Sequence, residues 1–373
     1  MDTARAADLP TFLHRGRIPS LDGLRAVAIV FVLLCHAQQT HGFFPVSPKM
    51  HHLMDFGGTG VELFFVISGF LITTLICREL DRTRAVSIPQ FYLRRILRIV
   101  PAYACFLAVV ALAQHEGFYS ISGGDWFSAL TYTVNFRDHP AWQIGHAWSL
   151  SIEEHFYLFW PLVIALGGLL VAQRLAFFLI IFCFVARWVV LLKFREYSPM
   201  AQLWTFTRID TIACGCLLAL LARQPIWSQR LDRFTRGPWP IFFLLALPFS
   251  IAGSFISAKF QVGIAYTLNA LLLTGLSWAA MRNGSNLWAR ILNHPIFCTI
   301  GVGSYSLYLW QQLFLDRTRD NVLTQFPQNL LFAGVAALVS YQLIEKPFLR
   351  LKDRLGQRAA PAAASAPVAV LTQ

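Results

Sequence analysis

The stretch LDGLRAVAIVFVLLCHA, residues 21–37, is apolar apart from Asp22 and two further ionisable side chains, Arg25 and His36. Ionisable groups inside a membrane helix are costly, so their default interpretation is functional. In a helix, the eleven-residue spacing puts Arg25 and His36 on one face, about 16 Å apart along the axis. That is roughly half of a bilayer core. We therefore expect the arginine at one membrane surface and the histidine near or beyond the midplane, where an imidazole can exchange protons at neutral pH.

The composition of the whole chain is that of a polytopic membrane protein. Of its 373 residues, 56% are hydrophobic, 13% are charged and 32 are phenylalanine. This balance is too apolar for a soluble protein of this length. We predict an all-α protein with about ten transmembrane helices. The predicted spans lie near 21–41, 59–77, 96–114, 147–168, 172–193, 207–222, 239–256, 262–281, 299–315 and 328–346.

The net charge of +12 is explained by membrane topology. With the N-terminus assigned to the cytoplasm, the predicted inner segments carry 21 Lys and Arg residues and the outer segments carry 8. Because Lys and Arg are enriched on the cytoplasmic side, both termini are predicted to be cytoplasmic. Nucleic-acid binding is not needed to explain the charge. We expect a multi-pass protein of the bacterial inner membrane, in contact with the lipid bilayer.

A single membrane domain accounts for the organisation of the chain. Residues 1–20 are predicted to be a cytoplasmic N-terminal segment, 21–351 the membrane domain, and 352–373 a disordered cytoplasmic tail rich in alanine and proline. No small-residue cleavage site follows a short apolar core, so a cleaved signal peptide is not expected. The seven cysteines lack paired CxxC spacing and are expected to pack in the core without disulfides.

Polar residues predicted near the cytoplasmic face form a first candidate site. Guanidinium groups beside a membrane-embedded path suit a phosphate-bearing donor such as coenzyme A, because arginine pairs with phosphate oxygens at two points. The alternatives are that the arginines anchor a span at anionic headgroups and that Asp22 and Arg25 form a local ion pair. The members of this group are Asp22, Arg25, Arg94, Arg95, Arg98, Glu345 and Lys346.

Polar residues predicted in the outer half form a second candidate site. A glutamate near a histidine can orient the ring for general-base catalysis on a hydroxyl. Glu153 and Tyr157 share a helix face, and a structural hydrogen-bond network is the alternative for them. The members of this group are His36, Glu62, Ser149, Ser151, Glu153, Glu154, Tyr157, Arg208, Asp210, Gln311 and Gln312.

Weaker signals lie elsewhere in the chain. In FFVISGF, residues 64–70, the Ser-Gly pair allows close approach either to a ligand or to another helix. The histidines at 51, 52, 139 and 146 lack metal-ligand spacing and are expected to be solvated in outer loops. The CGC sequence at 214–216 is expected to pack rather than bind metal, and no metal site is predicted.

Six segments of the chain together resemble the membrane-bound acyltransferase 3 family, integral-membrane O-acyltransferases that modify bacterial surface glycans and some small molecules. In chain order these segments are LDGLRAVAIVFVLLCHA, GVELFFVISGFLIT, FYLRRILRIVPAY, WSLSIEEHFYLFWP, GSYSLYLW and SYQLIEKPF. The resemblance extends from about Leu21 to Leu351. One such motif would be weak evidence, whereas six in the right order are specific.

The resemblance implies transfer of an acyl group, usually acetyl from acetyl-CoA, to a carbohydrate or glycolipid hydroxyl. It implies that Arg25 and His36 are essential. It also implies that Arg95 and Arg98 serve the acyl-CoA donor, and no permanently bound cofactor is expected. The residues predicted to be catalytic are His36, Arg25, Asp22 and Glu153. The residues predicted to bind substrate are Arg95, Arg98, Ser68, Gly69, Phe70, Ser151, Tyr157 and Glu345.

The chain departs from the family pattern at Gln311 and Gln312, where many members carry a histidine after the YSLYLW run. A role carried by that histidine in relatives therefore does not transfer to this chain, and a different acceptor is one consequence to test. A hydrolase-like domain such as some relatives carry is not expected here. The acceptor is expected to be reached by this domain alone or with partners.

Several alternatives stay open at this point. A transporter or lipid-linked glycan flippase would use intramembrane His, Glu and Arg in a proton relay, but the internal repeat typical of many transporters is missing. A structural scaffold does not account for so many ionisable groups within spans. Direct transfer with His36 as base, a covalent acyl relay and a homo-oligomeric assembly are all compatible with the sequence.

Overall fold

The computed structural model describes residues 17–47, 57–235, 239–282 and 287–358, together with residues 10, 13 and 54. Within this part of the chain every regular element is helical and no strand is present. The all-α prediction is therefore confirmed. Helices are the expected solution in a membrane, because each one satisfies its own backbone hydrogen bonds where water is absent.

The α-helices are numbered here in chain order. They are α1 Pro19–Ala37, α2 Gly57–Thr83, α3 Ile88–His115, α4 Gly123–Leu130, α5 Trp142–Gly145, α6 Ala147–Lys193, α7 Thr205–Ala222, α8 Pro225–Thr235, α9 Trp239–Ile256, α10 Ala258–Phe260, α11 Tyr266–Arg282, α12 Leu287–Leu292, α13 Pro295–Val302, α14 Ser304–Phe314, α15 Gln328–Ser340 and α16 Lys346–Arg358. Two π-helical segments, Gln261–Ala265 and Tyr341–Glu345, lead directly into α11 and α16.

Six helical segments among the described residues are long and apolar enough to cross a membrane, so the chain is a membrane protein. The longest of them, Trp142–Lys193, is interrupted at Gly168, whose φ of 73° lies in the left-handed region that favours glycine. This interruption falls between the predicted spans 147–168 and 172–193. The other five segments are Pro19–Ala37, Gly57–Thr83, Ile88–His115, Met200–Ala222 and Ala258–Arg282.

The last predicted spans correspond to shorter, interrupted helices. The span predicted over 299–315 is divided between α13 and α14, and the span over 328–346 consists of α15 and the π-helical segment after it. Helix α16 continues to Arg358, past residue 352, at which the tail was predicted to begin. Residues 359–373, and most of the predicted N-terminal segment 1–20, lie outside the described residues.

Helix α2 packs against α1 on one side and crosses α7 on another, and the α2–α7 crossing is made at two glycines. A Cβ atom on Gly69 would lie 2.0 Å from the carbonyl oxygen of Ile212, and one on Gly215 would lie 2.0 Å from that of Val66. Only glycine fits at such a crossing. Gly69 therefore serves helix packing, and its substrate-binding role stays a prediction. Phe70 is also a packing residue, because it is buried in the hydrophobic core.

Two buried ion pairs connect α2, α6 and α7. Arg208 Nη1 lies 3.2 Å from Glu62 Oε1, and Asn269 on α11 donates to the other Glu62 oxygen at 3.1 Å. Arg187 on α6 donates to Asp210 on α7 at 2.8 Å. All four charged side chains are at most 2% exposed. Each buried charge faces an opposite charge, as a low-dielectric interior requires, so this part of the predicted outer group is a structural network.

Candidate active site

A cavity of about 340 Å³ lies among α1, α2, α3, α6, α14 and α16. Asp22 and Glu153 are its acidic lining residues, so the cavity has an excess of positive charge. Within the described ranges no cluster of His, Cys, Asp and Glu is arranged to hold a metal ion. Because of its excess positive charge the cavity suits an anionic ligand, and guanidinium groups bind phosphate and carboxylate oxygens at two points. The cationic lining residues are Arg17, Arg25, Arg78, Arg95, Arg98 and Lys352.

Three of these arginines have no salt-bridge partner in the part of the chain that the structure describes: Arg25, Arg95 and Arg98. Arg98 is close enough to Arg25 and Arg95 for the three positive charges to repel one another. The guanidinium of Arg95 stacks on the ring of Tyr157, 3.6 Å from its centroid, and its Nε has no hydrogen-bond partner among the described residues. An anion entering the cavity could therefore bind these arginines without first displacing a carboxylate from them.

Arg17 and Lys352 are among the cavity residues that were not singled out from the sequence. Arg17 donates from Nε to Asp22 at 2.6 Å, and this hydrogen bond and the charge of Asp22 raise the pKa of Arg17. The local Asp22–Arg25 ion pair does not form among the described residues, so Arg25 stays available to the cavity. Lys352 reaches the cavity from α16, in the region that had been assigned to the tail. Burial, together with the nearby charge of Arg98, lowers the pKa of Lys352.

Ser68, Glu153 and Tyr157 form one hydrogen-bonded group on the cavity wall. Tyr157 donates to Glu153 at 2.7 Å, Ser68 donates to the same oxygen at 3.2 Å, and the two hydroxyls contact each other. The sequence had grouped Glu153 and Tyr157 with His36, whereas the structure brings them beside Arg95. The helix rise explains the difference, because these residues lie about 9 and 15 Å along α6 from Ala147.

Ser151 and Glu345 do not line the cavity. Ser151 is fully buried and donates to the carbonyl of Ala147 at 2.9 Å, within its own helix, and its binding role stays a prediction. Glu345 lies in the second π-helical segment and accepts a hydrogen bond from Ser306 at 2.8 Å. Its charge acts on Arg98 and, more weakly, on Arg25. Glu345 therefore offsets part of the positive charge of these arginines from outside the cavity, where it does not touch a ligand in the cavity.

His36 belongs to a separate polar group outside the cavity. Its Nδ1 lies 2.7 Å from Oε1 of Gln311, and its ring packs edge-on against Trp142 with centroids 5.5 Å apart. Because an amide oxygen can only accept, Nδ1 carries the hydrogen and Nε2 keeps its lone pair. Nε2 is then the atom able to take a proton from a hydroxyl. The ring is thus oriented by a glutamine, while Glu153 is engaged elsewhere.

His146 is held by a glutamine in the same way as His36. The prediction that His146 is solvated is wrong. The side chain is 3% exposed. Oε1 of Gln312 accepts from the backbone N–H of His146 at 2.9 Å and from its Nδ1 at 2.5 Å. Within the described residues its Nε2 has no hydrogen-bond partner. By contrast His139 is exposed as expected, and the histidines at 51 and 52 lie outside the described residues.

The histidine group and the cavity are one helical turn apart. On α14, Tyr308 lines the cavity, and Gln311 and Gln312 follow it by about 4.5 and 6 Å. On α6, Ser149 lines the cavity and follows His146 by three residues. The Tyr308 hydroxyl contacts Ser149 Oγ at 2.7 Å and donates to the carbonyl of His146 at 2.8 Å. Tyr308 and Ser149 therefore lie between the two sites: they line the cavity and also contact His146.

Comparison with known proteins identifies the family. A family model described as an acyltransferase domain matches residues 18–344. The protein named "Putative O-acetyltransferase SACOL0978" in Staphylococcus aureus strain COL is 28% identical over 89% of this chain and 57% of its own length. O-acetyltransferase OatA of Staphylococcus aureus strain NCTC 8325 is 28% identical over 93% of this chain and 60% of its own length.

The chain spans less than two thirds of the length of these curated relatives. No solved structure matches it. The family match, however, covers nearly all of the helical region in which the cavity and the histidine group lie. This protein therefore belongs to the membrane-bound acyltransferase 3 family.

Proposed function

We propose that this protein is an integral-membrane O-acetyltransferase that moves an acetyl group from cytoplasmic acetyl-CoA to a hydroxyl of a glycan or glycolipid at the outer side of the bacterial inner membrane. One observation carries the proposal: a cavity with unpaired arginines lies one helical turn from a histidine whose Nε2 can act as a base. The relatives named as O-acetyltransferases support the acetyl group and the oxygen acceptor.

The cavity supplies both kinds of contact that acyl-CoA requires. Arg95, Arg98 and Lys352 offer cations for the phosphates of coenzyme A. The apolar side chains of Ile67 and Leu71 line the same cavity and can pack along the pantetheine arm. Arg25 lies about 16 Å along α1 from His36, so its proposed role is on the donor's charged part rather than at the reacting atoms. Asp22 and Glu153 belong to this donor side as well.

In a direct transfer, Nε2 of His36 takes the proton of the acceptor hydroxyl while the hydroxyl oxygen attacks the carbonyl carbon of the thioester. The carbon–sulfur bond breaks, the acetyl group becomes an ester, and coenzyme A leaves as a thiolate that recovers the proton. Gln311 is a positioning residue, because it fixes which nitrogen carries the hydrogen. A covalent acyl relay would use the same donor site.

The proposed topology has ten spans and cytoplasmic termini. It treats the two halves of Trp142–Lys193 as separate crossings and adds α9, the α13–α14 pair and α15 to the other five long helices. The cationic lining of the cavity supports a cytoplasmic donor site, since positive charge is enriched on that side.

His36→Ala is expected to lower acetyl transfer by at least about 100-fold, because general bases contribute about 10²–10⁴-fold. The measurement is coenzyme A release from acetyl-CoA by purified protein in acceptor-containing membranes, divided by the folded fraction from size-exclusion chromatography. His139→Ala, an exposed histidine, is the matched control and should keep full activity. Near-normal activity per folded His36→Ala molecule would rule out the base role. A transporter would release no coenzyme A even as wild type.

Gln311→Leu is expected to lower the rate about 5- to 160-fold, because the hydrogen bond that fixes the His36 tautomer is worth about 1–3 kcal/mol when one partner is removed. Gln311→Glu keeps an acceptor oxygen and should retain more activity than the leucine variant. The matched control is Gln173→Leu, since Gln173 bonds Gln224 far from the histidine group. Equal activities for the Leu and Glu variants would show that the acceptor oxygen is unimportant.

Arg95→Ala and Arg98→Ala are expected to raise the KM for acetyl-CoA, because each removes charge-assisted hydrogen bonds worth about 1.5–3 kcal/mol. Lysine at either position should rescue only partly, since it lacks the planar fork. Arg94→Ala is the neighbouring control: Arg94 pairs with Glu79 at 2.5 Å and does not line the cavity. If the KM is unchanged in both variants, these arginines are membrane anchors.

The sidedness is tested with cysteines at two equally exposed aspartates, Asp138 at 69% and Asp353 at 68%. Asp138→Cys should react with an impermeant maleimide in intact cells, whereas Asp353→Cys should react only after the cytoplasmic face is opened. Wild-type protein measures the background from native cysteines, which are buried or partly buried. Labelling of Asp353→Cys from outside would show that the proposed orientation is inverted and that the donor site does not face the cytoplasm.

A further inference from the structure

We propose that Phe64 and Tyr308 form a constriction that limits the transferred acyl group to acetyl. This inference rests on the proposed function and names the residues that set the size of its substrate. It starts from the separation of the two sites: toward the histidine group the cavity suited to the donor is lined by a layer of Phe64, Tyr308 and Ser149, together with Val61, while the base His36 lies outside the cavity. The acyl group has to cross this layer before an acceptor oxygen next to His36 can attack it.

The layer is closed by two aromatic rings. Phe64 comes from α2 and Tyr308 from α14, and both line the cavity. Their centroids are 6.3 Å apart with the ring planes at 69°. Rings in this edge-to-face arrangement are in contact, so they leave no free passage between them.

Tyr308 is the fixed side of the constriction. Its hydroxyl is held by Ser149 and by the carbonyl of His146, and its ring also packs against the ring of His146 at 5.4 Å. The side chain is 7% exposed. Moving it would leave buried hydrogen-bonding groups unpaired, which costs about 1–3 kcal/mol for each group.

Phe64 is the side that can move. Its side chain is partly buried, carries no polar atom and packs at the junction of the two main hydrophobic clusters. A change of rotamer therefore breaks no hydrogen bond and opens the cavity toward Gln311. The width of the passage then depends on how far this one ring can turn away from Tyr308.

The space beyond the layer favours a short acyl group. Four polar side chains lie there, His36, His146, Gln311 and Gln312, packed against the rings of Trp142 and Phe106. Nε2 of Gln311 and Nε2 of His146 have no hydrogen-bond partner in the described part of the chain. Both side chains are already buried, so a longer hydrocarbon chain would have to displace packed groups and would lie against unpaired polar atoms, whereas the methyl group of acetyl would not reach far past the rings. The length of the acyl group is therefore limited both by the constriction at Phe64 and Tyr308 and by the side chains beyond it.

The test compares coenzyme A release from acetyl-CoA, butyryl-CoA and octanoyl-CoA by purified full-length protein in acceptor-containing membranes. Phe64→Ala should raise the butyryl-to-acetyl rate ratio by at least about tenfold, the scale on which a pocket discriminates one or two methylene groups. Phe64→Trp should lower that ratio. The matched control is Phe332→Ala, another partly buried ring, which packs 6.2 Å from Phe314 outside the cavity and should keep the wild-type ratio.

If Phe64→Ala does not fold, Phe64→Leu carries the test with a smaller increase in the same direction. An unchanged ratio in a folded and active Phe64 variant would overturn the constriction while leaving the proposed acyl transfer intact. A tenfold rise in Phe332→Ala as well would also overturn it, since the effect would then be general loosening. Wild-type protein that releases no coenzyme A from any of the three donors would contradict the proposed function itself.

Discussion

The cost of placing a charge between membrane helices is the constraint on which this structure depends. Where the charge serves only the fold, it is neutralised: Arg208 faces Glu62, and Arg187 faces Asp210, all within the buried interior. A buried charge without a partner would be far more costly than either pair. Against this background, arginines that lack a carboxylate mark the place where the protein keeps positive charge for another purpose.

Arg95 and Arg98 are such arginines, and the surrounding structure makes their position tolerable. Arg95 rests on the face of Tyr157, and the charge of Glu345 acts on Arg98 from outside the cavity. The remaining repulsion among the guanidiniums is what an anionic donor would relieve. In the proposed reaction, the energy gained from binding the phosphates holds the acyl group against the aromatic layer, and His36, the proposed base, lies on the other side of that layer.

Much of the fold and part of the site were predictable from the sequence. Apolar length and periodicity identified the helices because those signals are local, and the eleven-residue spacing on α1 correctly separated Arg25, which lines the cavity, from His36, which does not. Contacts between distant segments were not predictable. Glu153 was expected near His36, but which neighbour a helical side chain meets depends on how helices cross. That crossing is set by features such as Gly69 against Gly215.

The burial of His146 was likewise not predictable from the sequence. Its neighbours in sequence gave no sign of burial, and only the fold brings Gln312 from α14 to within 2.5 Å of its ring. The two glutamines, which appeared as a departure from the family pattern, are explained once this contact is seen: each holds one histidine through Nδ1. Paired side chains from segments more than 150 residues apart leave no pattern in a single sequence.

The central claim is that the donor occupies the cationic cavity and reaches toward His36 past the aromatic layer. The most direct measurement is an electron cryo-microscopy structure of the protein with a non-hydrolysable acetyl-CoA analogue. The account predicts the phosphates of the analogue beside Arg95, Arg98 and Lys352, with its acetyl group at Phe64 and Tyr308. An analogue bound at another surface while this cavity remained empty would contradict it.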